Sequence, residues 1–283
     1  MGAPSPMNFS RWVFAAPWLI FGVGVGLCFQ SENEVRAQYE RAQTQWRIGD
    51  YAAAISLYDK VHLLYPSSSY APRALFELGN LNYINSRDIQ RAVENFQMLV
   101  DEYPKTPQAV DALLRLGEIN EIELQDYPAA IVCWKRVLEL DASRRSRRQL
   151  LFRIGNAYFK LDQFERAIRA FEELVGDGVA DDLTQQANIR LGTIYQINAD
   201  YLGSLPYFRA VLENESRPNY RLQAQLGLIE SFEFLDDLKS AVEVARRIDE
   251  ADSPAAEMKA DLLARLSKKQ KLYEPNPWTG GQD

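Results

Sequence analysis

The sequence predicts an all-α solenoid of about six helix–turn–helix repeats closed by a C-terminal helix. Three observations carry this. First, a small, a large and an aliphatic residue recur at spacings of four and three: Ala54/Tyr58/Val61, Ala92/Phe96/Leu99, Ala130/Trp134/Val137, Ala167/Phe171/Leu174, Ser204/Phe208/Val211 and Ala241/Ala245/Ile248. Second, the small members lie 37 or 38 residues apart, a period that marks repeat architectures. Third, Gly79, Gly117, Gly155, Gly192 and Gly227, with Ala42 in the first unit, precede the small residue by twelve to fourteen positions.

The first helix of each repeat, helix A, carries that second marker inside an apolar pattern. Ala74, Leu75, Leu78, Leu81 and Ile84 fall on one helical face. Glycine inside a helix costs about 1 kcal/mol relative to alanine. Its repetition therefore predicts close approach to the second helix, helix B. Turn residues separate the two: Gly49-Asp50, Asn85-Ser86-Arg87-Asp88, Gln125-Asp126, Leu161-Asp162, Asn198-Ala199-Asp200 and Asp236-Asp237. Most are of the types that stop one helix and cap the next. Tyr51, Tyr127, Phe164 and Tyr201 follow, and are expected to plug the interface between the helices. Helix B should end near Pro66 and Pro104.

These segments resemble the tetratricopeptide repeat family. The match is carried by Gly49-Asp50-Tyr51-Ala52-Ala53-Ala54-Ile55 with Tyr58 and Pro66, and by Ile154-Gly155-Asn156-Ala157-Tyr158 with Phe164, Ala167 and Phe171. It covers residues 34–250 and implies a right-handed superhelix. The family period is about 34 residues, so each unit here is longer. Repeats two and three should hold one extra residue in the helix A–B turn and repeat six two, with the rest in the joins between repeats. Repeat six, with Ala245 in the large slot, reads as a worn terminal unit.

Composition narrows the chemistry. A net charge of −7 disfavours nucleic acid as a partner. One histidine, His62, and two cysteines, Cys28 and Cys133, supply no zinc set. No glycine-rich phosphate loop is present, so no cofactor and no small-molecule substrate is expected. His62 reads as a partly exposed structural residue and Cys133 as a buried small hydrophobe. No nucleophile motif accompanies them, and the chain is not expected to be an enzyme.

Residues 1–30 are expected to be a signal peptide or membrane anchor. Trp12 to Phe29 run without a charge, preceded by Arg11 and followed by Glu32 and Glu34. That length lies between a secretory signal and a full span, and the flanking arginine favours an inward N-terminus. Val25-Gly26-Leu27-Cys28 resembles the lipobox of bacterial lipoproteins, which implies lipidation of Cys28, although Leu27 departs from its pattern. An uncleaved helical anchor, a lipid on Cys28 and a soluble periplasmic product of cleavage all stay open. Met7 is an alternative start.

At the other end, residues 251–272 form a capping helix with Met258, Leu262, Leu263 and Leu266 on one side. Residues 273–283, with Pro275, Pro277, Gly280 and Gly281, are expected to be disordered, and Trp278 there could serve as a short docking element.

The family resemblance implies a concave face built from helix A, with positions one and four or five after each marker pointing into it. Candidate partner-binding residues are Trp46, Asn80, Tyr83, Asn156, Phe159, Lys160 and Gln196, with Gln43, Arg47, Glu118, Glu121, Thr193, Leu228 and Phe232 on the same lines. Asn80, Asn156 and Lys160 partly resemble the clamp that holds a peptide carboxylate in some relatives. A basic patch, Arg144, Arg145, Arg147 and Arg148, is assigned to the loop after repeat three. It serves either an acidic partner or the end of the preceding helix.

Two joins, Tyr65-Pro66-Ser67-Ser68-Ser69-Tyr70-Ala71-Pro72-Arg73-Ala74-Leu75 and Glu102-Tyr103-Pro104-Lys105-Thr106-Pro107-Gln108-Ala109, resemble those of bacterial envelope repeat proteins. These include the outer-membrane-protein assembly lipoprotein and the Tol-associated periplasmic coordinator. The resulting expectation is a non-enzymatic adaptor of the cell envelope that faces the periplasm. It is held by its N-terminus at the inner or outer membrane and binds a protein or peptide partner. The alternatives are a self-associating spacer and a regulatory subunit of an envelope enzyme.

Overall fold

The computed structural model of the chain describes residues 18–140, 144–213, 217–249 and 253–273, with side chains for 32–140, 147–213, 217–249 and 256–271. The N-terminal run before Trp18 and the tail from residue 274 lie outside the described residues, as does the side chain of Cys28. The described residues are helical, without strands. They divide into two compact units, one ending at Ile119 and one starting at Asn120.

In the first unit, repeat one pairs the end of α1 (Trp18–Arg47) with α2 (Tyr51–Leu64). Repeat two pairs α3 (Ala71–Asn80), extended by a π-helical turn at Leu81–Asn85, with α4 (Ile89–Glu102). Helix α5 (Pro107–Ile122) runs through the end of the first unit, and α6 (Tyr127–Leu140) belongs to the second. The second unit continues with α7 (Arg144–Lys160) and α8 (Phe164–Val175), then α9 (Asp182–Ile197) and α10 (Tyr201–Glu213). It ends with α11 (Pro218–Phe234), α12 (Leu238–Arg246) and the cap α13 (Ser253–Tyr273).

Every member of the six triplets is at most 2% exposed, so the pattern is core packing in all six repeats. The glycines bring the helices together as their position requires. A methyl at Gly79, Gly155 or Gly192 would lie 2.4–2.6 Å from the ring of Phe96, Phe171 or Phe208 in the same repeat. Gly227 differs: the ring it meets is Phe208, in the preceding repeat. Its expected role as the marker of repeat six is therefore corrected. Counting from the helix end shows why. Asp237 N–H bonds to Phe232 O, five residues back, as Asp50 does to Gln45, Gln163 to Tyr158 and Asp200 to Tyr195. In those three repeats the marker lies three residues before the acceptor. Three before Phe232 is Ile229, and the two extra residues assigned to this turn do not exist. Ile229, 2% exposed, belongs to the same core cluster as Ala245, which stands where other repeats carry a ring.

The helix A–B turns share one geometry. Gly49, Arg87, Gln125, Asp162, Ala199 and Asp236 all have φ between 53° and 86°. The following residue closes the helix end with a bond back to the fifth residue, as in the Schellman arrangement. In repeats two and three this bond reaches the sixth, from Asp88 to Asn82 and from Asp126 to Asn120. That is where their extra residue is absorbed, in repeat two as the π-helical turn. Asp50, Asp88, Asp126, Asp200 and Asp237 then cap helix B by accepting from the N–H three residues on, at 2.8–3.1 Å. Gln163 makes no such bond.

The aromatics after the turn divide. Phe164 meets Phe159 of its own helix A at 5.9 Å, as expected of a plug. Tyr201 instead lies flat on Phe234 of the next repeat, at 4.2 Å, and Tyr51 is exposed. Helices α2 and α4 stop two residues before Pro66 and Pro104. At the C-terminal end, Leu266 of α13 is fully buried, and Met258, Leu262 and Leu263 pack on the cluster of α10, α11 and α12.

Candidate functional site

The position four residues after the marker stitches one repeat to the next. In the second unit Glu121 pairs with Arg153 at 3.4 Å. The Phe159 ring lies under the Arg190 guanidinium, 5.3 Å away. Gln196 Nε2 donates to Gly227 O at 2.8 Å and to Ser231 Oγ at 2.9 Å. Glu233 pairs with Arg265 of the cap at 2.6 Å. Phe159 and Gln196, both expected to meet a partner, are thus engaged by the next helix A. In the first unit Trp46 and Tyr83 hold the same position and are half-buried.

The position one after the marker turns to its own helix. The Asn80 side chain hydrogen-bonds to Glu77, whose carboxyl is pushed up by burial and partly brought back by that bond. Asn80 Oδ1 is itself buried without a partner. Asn156 is half-buried and Lys160 exposed. In repeat six, Leu228 and Phe232 are buried and do not face a partner, because the marker position there is held by Ile229 rather than Gly227.

The exposed line runs one residue further. Ile84 is 54% exposed in the first unit, and Ile122, Ile197 and Phe234 are 61%, 52% and 59% exposed in the second. Arg47 and Lys160 hold this position in repeats one and four. Exposed Tyr51 and Leu202 start the neighbouring helices B. The aliphatic residues were readable at a constant distance from the markers.

The arginine cluster is not a loop. All four residues lie in the first turns of α7, where cations oppose the helix dipole. The side chains of Arg144 and Arg145 lie outside the described residues. Arg147 pairs with Glu173. Arg148 is 6% exposed and pairs with Asp177 and, at 2.7 Å, with Asp181. It also donates to Thr184 Oγ1 at 2.9 Å and to Leu174 O at 3.2 Å. Burial would lower the pKa of this guanidinium, but the two aspartates outweigh it and hold it above its ordinary value. Asp181 also caps α9. Arg148 therefore locks the end of α8, the join and the start of α9 together, and is not available to a partner.

His62 is buried rather than partly exposed. Its Nε2 lies 3.8 Å from the Glu102 carboxylate and its ring meets Tyr103 edge-on. Cys133 is half-buried, with its thiol pushed up by desolvation. Among the described residues no group of three His, Cys, Asp or Glu could hold a metal ion, and no helix is long and apolar enough to cross a membrane.

Comparison with known proteins bears on the repeats. Two family models for the tetratricopeptide repeat match, one at residues 39–105 and 81–142, the other at 149–177. A tetratricopeptide repeat protein from Parabacteroides merdae is similar in structure, with TM-score 0.51 and 13% identity over 87% of this chain and 95% of that one. MamA from Desulfovibrio magneticus RS-1, residues 41 to the end, has TM-score 0.44 and 21% identity over 63% of this chain and 93% of its own.

Proposed function

We propose that the chain, which matches models of the tetratricopeptide repeat at residues 39–142 and 149–177, is a tetratricopeptide-repeat protein acting as a non-catalytic adaptor that holds a protein or peptide partner along the exposed ends of helices A in its second unit. One observation carries this reading. A large apolar side chain is more than half exposed at the same repeat position in Ile122, Ile197 and Phe234. The neighbouring line already stitches the repeats of this unit, and Phe234 stays 59% exposed although it stacks on Tyr201. A partner that covers them gains about 25 cal/mol per Å² of apolar surface. The repeats are already folded, so little ordering opposes binding.

A photo-reactive residue in place of Ile197 tests this in cells. It is expected to capture a discrete partner that Phe234→Asp abolishes, while the same residue at Glu165 captures none. Equal capture from both positions, or none from Ile197, refutes the reading. Capture of a second copy would instead support the self-associating spacer.

The proposal extends to the bacterial cell envelope, with attachment through the N-terminal apolar segment or a lipid on Cys28. The uncharged run from Trp12 to Phe29 supports this, as do the two envelope-type joins. Helix α1 carries the chain from Trp18 into repeat one without a break. Glu32 ties that helix to the first join, accepting from Ser68 Oγ at 2.9 Å and Ser69 Oγ at 2.7 Å. Membrane fractionation with and without residues 1–30 checks attachment. Intact mass before and after Cys28→Ala checks lipidation, and a lipid-sized mass that survives the change rules Cys28 out.

A further inference from the structure

We propose that a cleft on the helix-B side of repeats three and four is a second docking site, and that its occupant is an acidic peptide segment anchored by an apolar side chain. It rests on residues separate from the helix-A line and does not depend on the adaptor reading above. The cleft lies between α6, α7 and α8, with a volume of about 490 Å³, within the usual range of ligand pockets. Its floor is apolar, with Leu151 and Ile154 from α7 and Leu138 from α6. Its rim is cationic, with Lys135 from α6 and Arg166 and Arg169 from α8.

These cations differ from those of the Arg144–Arg148 cluster. Arg147 and Arg148 are neutralised by acids. Among the described residues Lys135, Arg166 and Arg169 have no ion pair, and all three are exposed. Two of them are held in place. Lys135 Nζ and the Arg166 guanidinium lie 5.4 and 5.6 Å from the centroid of the same Tyr158 ring. Gathering like charges around one ring is unfavourable until an anion joins them. The acid on this rim, Glu173, is already engaged by Arg147. In a chain of net charge −7 the cleft is thus a local positive site with an apolar floor.

The floor selects the occupant. A free inorganic anion would leave Leu151 and Ile154 without a contact, and a lipid headgroup surface would meet the rim alone. An extended peptide that alternates carboxylates with leucine or phenylalanine satisfies both.

The test uses the full chain in detergent and a fluorescent twelve-residue peptide of Glu, Asp, Leu and Phe. Competitors are its Gln/Asn counterpart, inorganic phosphate and phosphatidylglycerol vesicles. The acidic peptide is expected to bind and to weaken with added salt, while its neutral counterpart does not bind. Lys135→Gln, Arg166→Gln and Arg169→Gln should each weaken binding about threefold, within the range for exposed pairs. The triple variant should weaken it more than tenfold, with the thermal transition unchanged. Arg169→Glu provides a single exposed reversal in case the triple variant is unstable, and Lys60→Gln on α2 should have no effect. Equal binding by wild type and the Arg169→Glu and triple variants overturns the proposal. So does a loss as large with Lys60→Gln, or binding of vesicles or phosphate in place of the peptide.

Discussion

One methyl group at Gly155 tests how tightly the two helices of a repeat are locked. The added carbon would lie 2.6 Å from Phe171 Cε1 and 2.8 Å from Cδ1 and Cζ. Ordinary carbon contacts are about 3.5–4.0 Å, so ring and helix must separate by about 1 Å. Phe171 is fully buried and has no open side to move into. Such overpacking costs about 1–3 kcal/mol. Against it stands the gain of about 1 kcal/mol for alanine over glycine in a helix. The single variant is therefore expected to be destabilised by up to about 2 kcal/mol. In a Phe171→Leu background the clash is relieved, and the same substitution should become stabilising by about 1 kcal/mol. Equilibrium urea unfolding of the four proteins, followed by circular dichroism, measures this cycle. If Gly155→Ala stabilises both backgrounds equally, the glycine is not there for close approach and the packing argument fails.

Gln163→Asp should stabilise by about 1 kcal/mol, because repeat four lacks the side-chain cap made by aspartate in the other five; thermal unfolding reads the gain. Ala199 sits at φ 58°, where a side chain costs about 1–2 kcal/mol, so Ala199→Gly should raise stability by about 1 kcal/mol in the same assay. Arg148→Met should cost about 2 kcal/mol or more in urea unfolding, since it leaves two aspartates facing a buried site, and Arg148→Lys should recover part of it. Burial pushes Asp181 up, but the Thr184 amide and Arg148 outweigh it and hold the carboxyl below the ordinary range; Ser240 does the same for Asp237. Their folded pKa lies below the unfolded value near 4, so their stabilisation is complete above that value and is lost as pH falls through the folded one. Stability should decline as pH falls below the ordinary carboxylate value near 4, with a smaller decline in Arg148→Met, and pH-dependent urea midpoints check both.

The core was legible because it obeys local rules. Three- and four-residue spacings place a small, a large and an aliphatic side chain on one helix face, and the period returns them. The cap α13 and the helix stops before Pro66 and Pro104 followed from equally local signals. The candidate surface was less legible. Phe159 and Gln196 occupy positions expected to meet a partner, yet each is engaged by a residue 31 to 35 positions later in the next repeat. Arg148 reads as one of four solvated arginines, but its partners Asp177 and Asp181 lie about thirty residues on, in a join whose path no periodicity describes. Gly227 looked like a marker because any glycine near the right phase fits a one-dimensional count; the ring it meets belongs to the preceding repeat.

The sequence by itself determined the repeat, its length and the residues that form its core. The reason is that burial needs an apolar face at helical period, and helix stops need particular residue types at particular places. Only the tertiary structure decided which polar and aromatic residues remain for a partner. That depends on how closely successive helices A approach, which sets whether position four stitches and position five stands in water. The same distance leaves Lys135, Arg166 and Arg169 around one open cleft while Arg148, from the more conspicuous run, is buried.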